Sequence, residues 1–313
     1  MVICVEAKIP EALLELIDDP NVTDICLSVG STQIDSGSGL SQANHLVLTE
    51  QELSTLAKDL IELGGRRLDQ ASPFADVSLP GGLRVHAVLK SPCTESTLIS
   101  IRLHSTDPLN LSSLLAGGFA TAAQFELIQE IAKSGQSFLI SGATGTGKTT
   151  LLRAMLAETT ERVIAVEDVT ELAGPNVICL QSKPKNIEGM GEVSLEDLVR
   201  ESLRMRPDRI CIGEVRGKEL LPMLQALNTG HRGATTLHAN SLEQVPERLL
   251  SIAMQQGIGQ STLSSLVVSA FDWVISLSKQ SGKRCVSGIG KFQIVDKKLE
   301  VVSQLRTRKL QLA

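Results

Sequence analysis

Gly142-Ala143-Thr144-Gly145-Thr146-Gly147-Lys148-Thr149, continued by Thr150, stands between an apolar run at 138–140 and a helix-forming run at 150–156. It matches G-x-x-x-x-G-K-[ST] with strand, glycine loop and helix in the order in which that pattern binds phosphate. Glycines permit positive φ, so consecutive N–H groups turn inward on phosphate oxygens, and the helix that follows adds the positive end of its dipole. Lys148 is expected to reach the β- and γ-phosphates of a nucleotide, and Thr149 to hold Mg²⁺. The other reading is a Gly- and Thr-rich turn ahead of a helix; average residue usage produces such a match in about one chain in a hundred of this length.

Working outward, apolar strands and helical stretches alternate after the loop, with strands at 163–167, 209–214 and 234–238 and helices at 195–204, 218–227 and 242–256. A helix at 121–134 precedes the loop, and 273–278, 284–289 and 299–305 read as further strands. That alternation implies a parallel sheet with crossover helices, whose ligands bind where the strands end. Upstream, 10–17 reads as a helix and 22–29 as a strand, with a Ser36-Gly37-Ser38-Gly39 loop between that strand and the next helix. Thr49 then caps a helix at 50–63, with Glu52 at capping-box spacing. Strands at 75–79, 83–89 and 97–103 follow. The expected organisation is a small α+β N-terminal domain over 1–104, a linker over 105–118 with LSSLLAGG open to a short helix, and an α/β P-loop NTPase domain over 119–313.

Length and composition fit this division. A chain of 313 residues exceeds what one core holds. With 42% hydrophobic and 21% charged residues it is a folded soluble protein rather than a disordered one. A net charge of -5, only 2% aromatics and no Tyr disfavour a nucleic-acid surface, so no direct nucleic-acid partner is expected. The six cysteines, Cys4, Cys26, Cys93, Cys179, Cys211 and Cys285, form no C-x-x-C pair. They read as buried apolar residues in a reducing compartment, without zinc or disulfides. No eighteen-residue apolar stretch occurs, and Glu6 and Glu11 replace the basic start of a signal peptide, so a cytoplasmic location is expected with any membrane contact made through a partner.

Three polar clusters sit at the ends of apolar strands. Glu167-Asp168, with Glu171 beyond, ends the first; its plainer alternative is a solvated strand exit. Glu214 ends the second, in the manner of a Walker B strand, although Gly213 stands where many such strands carry Asp. There it would act on the metal's water shell or the attacking water; alternatively it is an exit carboxylate paired to Arg216. The third, 229–241, carries His231 and His238, and an imidazole at a strand tip can donate to a γ-phosphate or be a plain hydrogen-bonded residue. In the first domain Arg84 and Arg102 lie in strands, either facing a partner as charge-stabilising guanidinium groups or decorating a half-exposed sheet.

GATGTGKTT, VEDVTEL, LRMRPDRICIGEVRG and ALNTGHRGATTLHANS, in that order, resemble the signature set of the ATPases of type II and type IV secretion and pilus assembly. RLDQASPFADVSLPGGLRVHAVL followed by LISIRL is similar to the N-terminal sheet of the tight-adherence pilus assembly branch, so the resemblance runs from about residue 12 to about residue 300. It implies hexameric cytoplasmic rings that hydrolyse ATP, with Mg²⁺, between an N-terminal domain and a RecA-like domain, docked on an inner-membrane platform protein. By motif, Glu167 falls on the acidic box, Glu214 on the Walker B glutamate, His238 on the histidine box, and Arg84 and Arg102 on the N-terminal arginines. The cysteine tetrad of many type II members is absent and the N-terminal extension is short, so no zinc subdomain is expected. The rival readings are an ATP-dependent nucleic-acid translocase and a nucleotide-sensing scaffold that does not hydrolyse ATP.

Overall fold

The computed structural model describes residues 9–37, 39–43, 46–92, 94–103, 110–183, 185, 190–280 and 282–306. The chain forms two compact units, Met1–Asp107 and Pro108–Ala313. Within the segment expected to be a linker, 105–109 lies outside the described residues, and α3 (Leu111–Ala116) is helical and buries Leu111 in the second unit's core.

The first unit contains α1 (Glu11–Asp18), β1 (Asp24–Ser28), β2 (Ser31–Asp35), β3 (Leu40–Gln42), α2 (Glu50–Leu63), β4 (Phe74–Leu79), β5 (Leu83–Val88) and β6 (Leu98–Leu103). Its sheet runs β3-β2-β1-β6-β5-β4 and is antiparallel throughout. β5 shows why one face is covered: Leu83, Val85 and Ala87 are buried while Arg84 and His86 point the other way, the two-residue period of a pleated strand. Against the buried face, α2 sets Leu53, Leu56, Ala57, Leu60 and Ile61, spaced for one helical stripe. Thr49 and Glu52 close its first turn as a reciprocal capping box, as the spacing predicts.

The second unit continues through α4 (Ala122–Lys133), β7 (Phe138–Gly142), α5 (Lys148–Ala157), β8 (Val163–Glu167), β9 (Val177–Gln181), α6 (Leu195–Ser202), β10 (Arg209–Ile212) and α7 (Leu220–Asn228). It ends with β11 (Arg232–Leu237), α8 (Val245–Met254), α9 (Gln260–Ala270), β12 (Trp273–Gln280), β13 (Lys283–Val295) and β14 (Lys298–Arg306). The sheet order is β14-β13-β12-β7-β11-β10-β8-β9. Strands β12 through β9 in that order are parallel, as the alternation predicts, whereas β13 and β14 return antiparallel. The reason is connection length. Two residues separate β12 from β13, too few for the crossover that a parallel neighbour requires. Side chains alternate between the two faces: Leu139, Val166, Ile212 and Val274 join the core under α6–α9, while Phe138, Ile140, Ala165, Cys211 and Ile275 join the core under α3–α5. Of the cysteines expected to be buried, Cys211 is; Cys26, Cys179 and Cys285 are half-exposed, and Cys4 and Cys93 lie outside the described residues.

At the starting ends of the strands Arg209 is buried, 1% exposed. Its Nε donates to Glu161 Oε2 at 2.6 Å, its terminal nitrogen to the carbonyls of Gln136 and Gly233 at 2.9 and 3.2 Å, and its guanidinium lies 5.3 Å from the centre of the Phe138 ring. Glu161 holds Arg232 as well, so one carboxylate bridges two guanidinium groups from neighbouring strands.

Candidate active site

At the other end of the sheet β7 stops at Gly142, residues 143–147 form a loop, and Lys148, Thr149 and Thr150 open α5. Gly145 and Gly147 take φ of +72° and +94°, the left-handed region that glycine enters without strain. A Cβ on Gly142 would stand 2.5 Å from Thr146 Oγ1, and that hydroxyl donates to the Ala143 carbonyl at 2.8 Å, so the loop closes tightly on itself. No side chain caps α5 at Gly147, which leaves its first amides directed at the loop. Lys148 is buried, and its Nζ donates to the same Ala143 carbonyl at 3.2 Å. Burial lowers its pKa, and the Glu214 carboxylate opposes that shift. Uncapped amides and a buried ammonium around a glycine loop fit a nucleotide's phosphates. The Thr149 hydroxyl on the same turn and the Glu214 carboxylate are oxygen donors of the hard kind that Mg²⁺ takes.

Glu167 is the last residue of β8 and is 5% exposed. Burial pushes its pKa up to about 7, against the backbone N–H groups of Leu172 and Glu171, which donate to its Oε2 at 3.1 Å each. The solvated strand exit does not describe this residue. Its side chain lies against Gly213, where a Cβ would come 2.9 Å from Glu167 Cγ and 3.0 Å from Oε1. The departure from Asp at that position has a steric cause: the volume of a side chain at 213 is taken by Glu167.

Glu214 does not pair with Arg216. That arginine's guanidinium pairs with Asp168, and its backbone N–H donates to Glu219 at 2.6 Å. Glu214 Oε1 lies 3.3 Å from His238 Nε2, and His238 Nδ1 lies 3.5 Å from Lys148 Nζ. Burial first, then the Lys148 charge, holds the His238 pKa below its ordinary 6.5, while Glu214 opposes the shift. A neutral ring satisfies both neighbours: Nδ1 accepts from the ammonium and Nε2–H donates to the carboxylate. His231 is placed elsewhere, ahead of β11, where its Nδ1 lies 3.2 Å from the Ala226 carbonyl. Three strand ends thus bring Lys148, His238 and Glu214 into one continuous contact.

In the first unit Arg84 and Arg102 are cross-strand neighbours on the face turned away from the core. Arg102 Nε donates to Asp24 Oδ1 at 2.9 Å, across the next pair of strands. Sequence reasoning passed over two further cations. β12 runs parallel to β7 with Leu277 opposite Gly142, then continues to Gln280 and returns as β13. The hairpin end therefore stands beside the phosphate loop. Arg284 Nε donates to the Gly145 carbonyl at 3.0 Å, and a Cβ on Gly145 would come 3.4 Å from Lys279 Nζ. Neither cation belongs to a motif; the signal that locates them is the pairing of β12 with β7.

Residues 43–307 match the family described as Type II/IV secretion system protein. The chain is 36% identical over 301 residues to a putative conjugal transfer protein of Mycobacterium tuberculosis, covering 92% of this chain and 86% of that one. It is 31% identical over 307 residues to the type IV secretion system protein PtlH of Bordetella pertussis, covering 87% and 90%. Among solved structures it is similar to the pilus retraction motor PilT with bound ADP, with a TM-score of 0.62 and 19% identity over 96% of this chain and 84% of that one. At that identity the likeness speaks to fold alone: a RecA-like α/β domain preceded by a smaller α+β domain. On the family match and these relatives, the chain belongs to the type II/IV secretion system protein family.

Proposed function

We propose that this chain is an ATP-hydrolysing motor that works as a ring of six copies on the cytoplasmic side of an inner-membrane platform protein, powering pilus assembly or secretion. The observation that carries the hydrolytic reading is the contact running from Lys148 through His238 to Glu214, beside buried Glu167. In this reading residues 142–150 bind the phosphates, with Lys148 on the β- and γ-phosphates. Mg²⁺, when bound with the nucleotide, neutralises charge on the phosphates, and Thr149 would hold it, with Glu214 reaching its water shell. Glu214 orients the attacking water. His238, held neutral between ammonium and carboxylate, keeps Glu214 aimed and senses the terminal phosphate through Lys148. Glu167, whose pKa lies near 7, is suited to take a proton and return it within one turnover. Arg84 and Arg102 would complete the charge around the γ-phosphate when the two domains close, with 105–118 as the hinge. The relatives named for conjugal transfer and type IV secretion, and the likeness to a motor solved with ADP, support this reading. The finer assignment to the tight-adherence branch rests on the motifs and on the first domain's sequence. Among the described residues no helix is long and apolar enough to cross a membrane, so the membrane contact is assigned to a partner.

Steady-state ATPase assays test the reading. Lys148→Ala should abolish turnover; hydrolysis at the parent rate would sink the central assignment. Glu214→Gln should bind ATP yet slow single turnover by a factor on the order of a hundred or more. Single-stranded DNA should leave the parent rate unchanged, and stimulation by it would favour the translocase instead.

A further inference from the structure

A cavity of about 400 Å³ opens beside the phosphate loop, entirely within the second unit. Ala143 lines it from the loop, His238 and Asn240 from the exit of β11, and Glu247, Arg248 and Ser251 from α8. Arg248 is the residue this architecture leaves unexplained. Its Nε is buried and has no hydrogen-bond partner among the described residues. The Arg248 charge is also close enough to help hold the His238 pKa down, although Lys148 already does so. A buried donor without an acceptor destabilises a fold, and the Arg248 charge is felt at His238, whose ring in turn meets Lys148. An anion in the cavity that Arg248 lines gives its guanidinium a counter-charge.

We infer that Arg248 contacts the terminal phosphate of ATP, and inorganic phosphate after cleavage, in this cavity. The inference rests on the ATPase reading. Two observations, together with the shape of a guanidinium, favour a phosphate over another anion. The cavity touches Ala143, whose carbonyl holds the Lys148 ammonium, so it opens where the lysine reaches its phosphates. A guanidinium presents several N–H donors in a fixed fork that matches phosphate oxygens. Asn240 and Ser251 supply neutral partners on the same walls. The bond changes remain those of hydrolysis: the water oxygen joins the terminal phosphorus, the bridging oxygen leaves on ADP, and Arg248 makes and breaks no covalent bond. Unlike Arg84 and Arg102, Arg248 shares a unit with Lys148, so its contact needs no movement of the first unit.

Calorimetric binding to the full chain with Mg²⁺ tests this, using ADP, β,γ-imido ATP, and inorganic phosphate added to the ADP complex. The proteins are the parent, Arg248→Met, Arg248→Lys and Lys148→Ala. Arg248→Met should keep the parent's ADP affinity, which also certifies its fold, and lose about tenfold to a hundredfold on imido-ATP and on phosphate. Arg248→Lys should recover part of that loss through its charge. An unchanged ratio of imido-ATP to ADP affinity in Arg248→Met overturns the inference, as does equal loss of both nucleotides in both Arg248 variants, which would mark a structural role. An unchanged ratio combined with a smaller assembly mass overturns it too, giving the guanidinium to an acid of a neighbouring copy. If Lys148→Ala loses nucleotide while Arg248→Met keeps the ratio, only the Arg248 assignment fails. If the parent binds no nucleotide, the ATPase reading fails first.

Discussion

In Glu167→Gln, the second unit should gain stability relative to the parent as pH rises from 4.5 toward 7. Burial moves the Glu167 pKa from 4.5 to about 7, so within that window the folded parent keeps a proton that the unfolded chain has released. Folding then takes up a proton, and raising the pH removes stability until the folded group ionises. Each unit of displacement corresponds to about 1.4 kcal/mol, so the full displacement is worth about 3 kcal/mol at pH 7.5 and above. Glutamine has the same size and does not titrate. Subtracting the two stability profiles therefore cancels the other titrating groups and isolates this one. Trp273, the chain's single tryptophan, lies on β12 in the second unit and reports its unfolding in urea. The parent-minus-variant difference should fall by about 3 kcal/mol between pH 4.5 and 7.5 and then level off. A difference that stays constant across this range would refute the argument, and one that rises would mean that the fold favours the ionised carboxylate.

Arg84→Ala and Arg102→Ala should lower turnover by roughly a thousandfold at most while leaving ADP affinity nearly intact; loss of ADP binding in step with turnover would remove the closure model. At the opposite end of the sheet, Glu161→Gln should destabilise the second unit by about 3 to 5 kcal/mol, because Arg209 is left buried without its counter-charge. A urea midpoint equal to the parent's would show that the backbone carbonyls alone satisfy that guanidinium.

The phosphate loop and the strands that deliver Glu167, Glu214 and His238 were legible because glycines and apolar runs carry local signals. Other elements were not. Helix α9 has the sequence QSTLSSLVVSA, whose β-branched and serine residues favour other conformations, and Gly259 gives it no side-chain cap. It is helical because Leu263 and Val267 are buried in the core, a tertiary effect. β2 escaped notice because STQID is polar, with Thr32 buried through a hydroxyl bond to the Leu46 carbonyl. β9 is half-exposed along most of its length and lacks the strong apolar contrast of β8. Arg216 shows the limit for the site. It follows Glu214 closely in sequence, yet pairs with Asp168 just past the end of β8, because residues separated along the chain meet only once the sheet forms. Gly213 was visible as a departure from pattern, and its cause became readable only when Glu167 was seen filling the space.

The position of β7 in the sheet has a consequence for synthesis. Its two neighbours, β11 and β12, come from 232–237 and 273–280, so both lie well downstream of it in the chain. A nascent chain that has emerged only through residue 231 holds the glycine loop with neither flanking strand in place. The Arg284 contact to Gly145 arrives later still. The nucleotide cradle, encoded in the middle of the chain, is therefore among the last features to take shape, since its sequence-distant contacts form only when the closing hairpin has left the ribosome.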